Sequence, residues 1–180
     1  MTAIGTRREA GALADAVREA NAEAIKFVEE CPPGAWTHRT AEQGWTLSMA
    51  TAHIAIGHLV IARWLHKISS GQDIAHTLAD SETFNASDAR YNSELSRSEV
   101  VERLRVYGAA LELYVRDLSD DQLGSSSMWL GRQWTIAEMV RDVAIGHARG
   151  HLAHIVAAAD TVPGEEREWH PRSSGRLSCH

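Results

Sequence analysis

The chain has 180 residues and a formal net charge of −6, from 18 Lys and Arg against 24 Asp and Glu. This length predicts one domain, and 44% hydrophobic with 23% charged residues is typical of a folded globular protein rather than a disordered one. There is no basic block to neutralise a run of phosphates, which argues against a nucleic-acid partner.

No segment predicts a membrane span or a secretion signal. The least polar stretch, residues 50–65, is interrupted by two histidines and an arginine, and it falls short of the roughly 18 apolar residues that a span needs. Because the N-terminus is charged early, we expect a cytoplasmic protein. The two cysteines, Cys31 and Cys179, cannot form a disulfide framework.

Two helices are predicted in the first 70 residues. Apolar residues recur three and four apart over residues 8–30, and the prolines at 32 and 33 end this helix. The second helix is predicted over residues 46–69, with Thr46 as its N-cap and Gly71 just beyond its end.

Residues 71–95 are polar without a sustained period, so we predict mostly loop there, with a short helix around residues 86–92. Ser96 and Glu99 then have the spacing of a capping box, which predicts a third helix over residues 97–118.

Glycines and a serine run predict a long loop over residues 119–133. Thr135 and Glu138 form a second capping-box pattern, so the fourth helix is predicted over residues 135–159.

The sequence shows no β-hairpin signal and no strand alternation, which leaves four long helices. The predicted fold is all-α, a four-helix bundle formed as one domain by residues 1–160. Residues 161–180, rich in charge, proline, serine and glycine, are predicted to be a flexible tail.

Three of the 10 histidines lie close together on the fourth helix. His147 and His151 are four residues apart, so their imidazoles lie one turn apart on one face and can converge on one ion. The apolar stripe of this helix continues onto both residues and onto His154, which predicts that all three side chains point into the bundle.

A third ligand has to come from another helix, because His154 lies too far along its helix to share an ion easily with the other two. The second helix offers His53 and His58, and His53 is the better candidate from its depth along the helix. We expect His58, like His66 and His76, on a helix surface or in a loop. The alternative for His147, His151 and His154 is that they are ordinary core residues with hydrogen-bond partners.

The arrangement resembles a known family. Gly44-Trp45-Thr46, Ala52-His53-Ile54-Ala55 with His58, Trp134-Thr135, and the run His147-x-x-x-His151-x-x-His154-Ile155 look like the DinB superfamily, most closely its YfiT-like metal-dependent members. The resemblance covers about residues 8–160. The serine-rich segment before Trp134 and the charged tail depart from the usual pattern.

The resemblance implies a four-helix bundle, often a homodimer, in which His53, His147 and His151 bind one divalent metal. We expect His154, and as a further candidate His58, either to contact the ligand histidines or to line the cavity beside them. The family includes transferases for low-molecular-weight thiols such as bacillithiol and mycothiol. Zinc is the first expectation for the metal, with nickel, iron or manganese as alternatives, because imidazole suits several transition metals.

Three histidine ligands leave a metal with open positions, as in catalytic sites. Such a metal activates a bound water or deprotonates a thiol. The resemblance implies the second case, a transferase that joins a small cellular thiol to an electrophilic small molecule. The alternatives are a metal-dependent hydrolase and a metal-binding bundle without catalytic activity. No catalytic acid or base is named, because Glu138 and Asp142 are expected to be a cap and a surface carboxylate.

Overall fold

The computed structural model describes residues 6–32, 34–40, 44–92 and 95–162. Four long helices dominate this part of the chain: α1 (Thr6–Glu30), α2 (Leu47–Ser69), α4 (Arg97–Arg116) and α6 (136–159). Between them lie a 3-10 helix (Gly34–Thr37), α3 (Leu78–Asn92), α5 (Asp120–Gly124) and the strands β1 (Ser126–Trp129) and β2 (Arg132–Thr135).

The four long helices pack as a bundle in the spatial order α1, α4, α2, α6 and back to α1. Each helix buries an apolar stripe against its neighbours. The core between them includes Val17 of α1, Ile54 and Leu65 of α2, Leu104 of α4 and Ile155 of α6, all with almost no exposed surface. The predicted helical bundle is therefore confirmed.

The sequence signals for the helix ends are confirmed. The Thr46 hydroxyl accepts a hydrogen bond from the Met49 backbone N–H and caps α2. Reciprocal capping boxes form at Ser96 with Glu99, where α4 begins, and at Thr135 with Glu138, where α6 begins.

The prediction of mostly loop over residues 71–95 is wrong. A 15-residue helix, α3, covers Leu78–Asn92 and packs beside α2. Most of its side chains are exposed or half-buried, and only Asp88 and Asn92 are buried. Because α3 buries polar rather than apolar residues, it has no amphipathic period for the sequence to display.

The prediction of a long loop without a hairpin over residues 119–133 is also wrong. This segment contains α5 and an antiparallel hairpin, in which Ser126 pairs with Thr135 and Trp129 pairs with Arg132. The two-residue turn has positive φ at both positions, 49° at Leu130 and 76° at Gly131. Glycine readily adopts a positive φ, whereas leucine does not. Because the turn sequence is Leu-Gly, it lacks the Asn-Gly or Asp-Gly pair from which such a turn is usually predicted.

In α6, residues Met139–Ile145 have π-helical hydrogen bonding, and the Gly146 N–H reaches back to the Arg141 carbonyl. Such turns are rare in proteins, and those that occur are often near functional sites. None of the helices in the described ranges is long and apolar enough to cross a membrane. The predicted tail falls outside the described residues from position 163 onward, as does Cys179.

Candidate metal centre

Three histidines from two helices converge inside the bundle. His53 comes from the first half of α2, and His147 and His151 come from successive turns of α6. One ring nitrogen from each lies within 4.8 Å of those of the other two. The ring centroids are 5.0 Å apart for His53 with either partner and 4.5 Å apart for His147 with His151.

A buried carboxylate fixes the orientation and tautomer of His53. The Nδ1 of His53 lies 2.9 Å from Oδ2 of Asp88, and both side chains are buried. Because an ionised carboxylate only accepts hydrogen bonds, Nδ1 carries the proton. In the neutral ring, Nε2 therefore presents its lone pair, and it faces Nε2 of His147 at 3.1 Å.

Asn92 contacts Asp88 in turn, and Arg103 contacts Asn92. The Asn92 amide donates to Oδ1 of Asp88, and the Arg103 guanidinium of α4 donates to Oδ1 of Asn92. This chain of hydrogen bonds connects the candidate centre to α4 through α3. It accounts for the burial of Asp88 and Asn92, the only buried side chains of α3.

The spacing of the nitrogens fits a divalent cation. Two imidazole nitrogens at about 2.0–2.1 Å from a tetrahedral ion lie about 3.3 Å apart, close to the 3.1 Å between His53 and His147. The donor set of three imidazoles, one with a carboxylate behind it, is the pattern in which a second partner orients a metal-binding histidine.

Burial favours the neutral form of His147 and His151. It lowers the pKa of His147 well below its ordinary value, and the neighbouring His151 and His53 lower it further. Burial also lowers the pKa of His151 to about 4, with a smaller contribution from His53. Both rings are therefore unprotonated at neutral pH, the form that binds a metal.

The absence of a side chain at Gly57 makes room for His147. A Cβ built on Gly57 would lie 2.5 Å from Cε1 and 2.9 Å from Nδ1 of the His147 ring. Real Cβ atoms essentially never show contacts this short, so a side chain at position 57 would displace the His147 ring from its place in the site.

A cleft of about 250 Å³ opens beside the three histidines. Its walls come from α2, from α3 and the segment before it, from the hairpin and from α6. They are mostly apolar and aromatic, and they include Val60, Ile61, Trp64, Phe84, Trp129 and Val143. The ring of Trp45, just before α2, packs 5.0 Å from His53 and 6.4 Å from His151.

Two predictions about the remaining histidines are wrong. His154 is exposed and is not part of the cleft wall, so its side chain does not point into the bundle. His58, expected at a helix surface, is 1% exposed, and burial lowers its pKa to about 4. Neither ring nitrogen of His58 has a hydrogen-bond partner among the described residues, and His58 does not line the cleft.

Sequence reasoning missed the residues that the two supposed loops contribute. Asp88, Phe84 and His76 all lie at the site, and His76 lines the cleft with its Nε2 2.9 Å from the Ser81 hydroxyl. A single acidic residue in a polar segment carries no signal by itself. The spacing of Asp88 and Asn92, four apart on one helix face, would have signalled a polar contact only after the helix was known.

Solved structures with the same fold include the mycothiol-dependent maleylpyruvate isomerase and a histidine-to-alanine mutant of that enzyme. The isomerase is 16% identical to this chain and its mutant 15%, each with a TM-score of 0.68. The similarity covers 81% of this chain but 60% of those proteins, so the chain spans about three fifths of their length. At this identity the likeness shows the fold alone.

No curated protein sequence matches the chain. Residues 16–155, which include all three converging histidines and the residues that wall the cleft, match the DinB superfamily. The chain therefore belongs to the DinB superfamily.

Proposed function

We propose that His53, His147 and His151 hold one divalent cation and that the protein is a transferase joining a small cellular thiol to an electrophilic small molecule. The observation that carries the proposal is the convergence of three imidazoles beside an open, mostly apolar cleft. Membership of the DinB superfamily supports it, because the YfiT-like members that this sequence resembles are metal-dependent. Zinc is the first candidate for the cation, with nickel, iron and manganese as alternatives.

A divalent cation bound there supplies Lewis acidity, which lowers the pKa of a thiol so that the nucleophilic thiolate exists at neutral pH. The protein's own residues position and desolvate the reactants. Asp88 holds the His53 ring through its Nδ1 proton, and the Trp45 ring covers His53 and His151 on one side. The aromatic walls cover part of a bound reactant and remove that part from water.

No cysteine in the described part of the chain supplies the thiol, so we propose that it comes from solution. Cys31, the only cysteine among the described residues, is buried at the end of α1 and does not line the cleft. Burial raises the pKa of its thiol, which keeps it protonated and unreactive. In the transfer, the thiol sulfur bonds to the electrophilic carbon. In a substitution, the bond from that carbon to its leaving group breaks and the thiol proton ends on the leaving group. In an addition, the π bond of an activated double bond breaks and the proton ends on the neighbouring carbon.

The hydrolase alternative needs a general base beside the metal. No carboxylate lines the described part of the cleft, and Asp88 is already engaged by His53 and Asn92. Glu138 caps α6, and hydrogen bonds from the Thr135 backbone and hydroxyl lower the pKa of its carboxyl. The arrangement favours the transferase.

Cobalt-substituted protein provides the test. We expect a sulfur-to-metal charge-transfer band when the correct thiol is added from a panel that includes mycothiol, bacillithiol, glutathione and cysteine. The same thiol should then be consumed with an electrophile such as 1-chloro-2,4-dinitrobenzene. A panel without any band or conjugation, together with turnover of ester or lactone substrates, would replace the transferase by the hydrolase.

Gly57 offers a separate check on the metal site. The Cβ of Gly57→Ala would occupy the space of the His147 ring, so we expect zinc affinity to fall about tenfold as the ring moves from its ligand position. Gly150→Ala, on the other helix with nothing within 4 Å of the added Cβ, is the matched control. Calorimetric titration with Zn²⁺ measures both, and equal affinities would contradict the packing role of Gly57.

A further inference from the structure

The cleft beside the three histidines is walled by aromatic rings in mutual contact. Trp64 lies 5.3 Å from Trp129 and 4.8 Å from His76 between ring centroids, and Phe84 lies 6.4 Å from His53 on α2. Rings in such tilted and edge-on arrangements also offer faces and edges to a further ring.

The size of the cleft limits its occupant. An apolar cavity of about 150 Å³ holds benzene, so about 250 Å³ accommodates one aromatic ring with a short side chain. A polycyclic or long-chain molecule would extend beyond these walls into solvent.

The charge of the walls limits the occupant further. None of the lining residues in the described part of the chain is Lys, Arg, Asp or Glu. An anionic group buried there would lose its hydration without gaining a fixed cationic partner, which is unfavourable. Apart from the metal, the cleft therefore favours an uncharged molecule.

We propose that the electrophile accepted by this protein is an uncharged molecule with a single aromatic ring and a short side arm, bound with the ring against Trp64 and Trp129. The reactivity of this ligand as an electrophile rests on the proposed function. The binding preference itself depends only on the walls of the cleft and can be measured without the metal.

Two esters and one acid separate the contributions. Methyl cinnamate has the ring and no charge, cinnamate has the ring and a negative charge, and methyl crotonate lacks the ring. Each is titrated at pH 8 into ¹⁵N-labelled full-length protein, with and without one equivalent of Zn²⁺, and the tryptophan indole signals are followed by NMR. The Trp129 signal is assigned from its loss in Trp129→Phe.

Without metal, we expect methyl cinnamate to bind at least about tenfold more tightly than either cinnamate or methyl crotonate, and to shift the Trp129 indole signal. Trp64→Leu should weaken methyl cinnamate about fivefold. Val60→Lys, which places a cation in the wall, should reverse the preference in favour of cinnamate. Val106→Lys, on the exposed face of α4, is the control and should leave it unchanged.

Equal or tighter binding of cinnamate by the metal-free protein would overturn the inference, as would equal binding of methyl crotonate or no effect of Trp64→Leu. The cobalt and thiol experiment reports independently on the transferase. A protein that binds methyl cinnamate but gives no thiolate band would retain the inferred ligand class and lose the proposed reaction.

Discussion

His151→Ala should abolish stoichiometric metal binding, whereas His154→Ala should retain it. His151 supplies one of the three converging nitrogens, and His154, three residues later on the same helix, is exposed. Two imidazoles and water hold a divalent ion far more weakly than three imidazoles, so we expect zinc affinity to fall by about a thousandfold or more.

The measurement is elemental analysis of protein without a histidine tag after dialysis, together with calorimetric titration with Zn²⁺. Circular dichroism verifies that both variants keep the helical fold. Full occupancy in His151→Ala would show that the ligands are wrongly assigned. Loss of metal from both variants would place the ion elsewhere on α6.

The bundle could be predicted from the sequence because its helices follow local rules. The capping boxes at Ser96 and Thr135 fix the first residues of α4 and α6, and the two prolines end α1 at residue 30. The spacing of His147 and His151 determined that they share a helix face, and the three-dimensional structure brings His53 to them.

The walls of the cleft could not be predicted, for two different physical reasons. The helix α3 lacks an apolar stripe because its two buried residues are polar. The hairpin has Leu130 in a left-handed conformation that leucine disfavours, so the turn is imposed by packing rather than by local preference. The capping box of Ser119 with Gln122 was the one local signal in this region.

The exposure of His154 has another explanation. His154 follows His147 by seven residues of regular α-helix, which places the two side chains within about 20° of one another around the helix axis. His147 nevertheless lies at the candidate centre and His154 is exposed. A helical period gives the direction of a side chain but not which neighbouring elements cover it.

Asp88→Ala should weaken zinc binding about 10- to 100-fold, the usual effect of removing the partner of a metal-binding histidine. The alanine leaves the Nδ1 proton of His53 buried without its acceptor, so the ring loses both its fixed orientation and the preference for a lone pair on Nε2. Glu82→Ala removes an exposed carboxylate from the same helix and is the matched control.

Two measurements distinguish this positioning role from a general loss of stability. Calorimetry gives the zinc affinity, and ¹⁵N NMR of the imidazoles in metal-free protein gives the tautomer of His53. We expect the Nδ1-protonated form alone in the wild type and in Glu82→Ala, and a mixture of tautomers in Asp88→Ala. Unchanged affinity with a mixed tautomer would mean that Asp88 orders the ring without contributing to the binding of the metal.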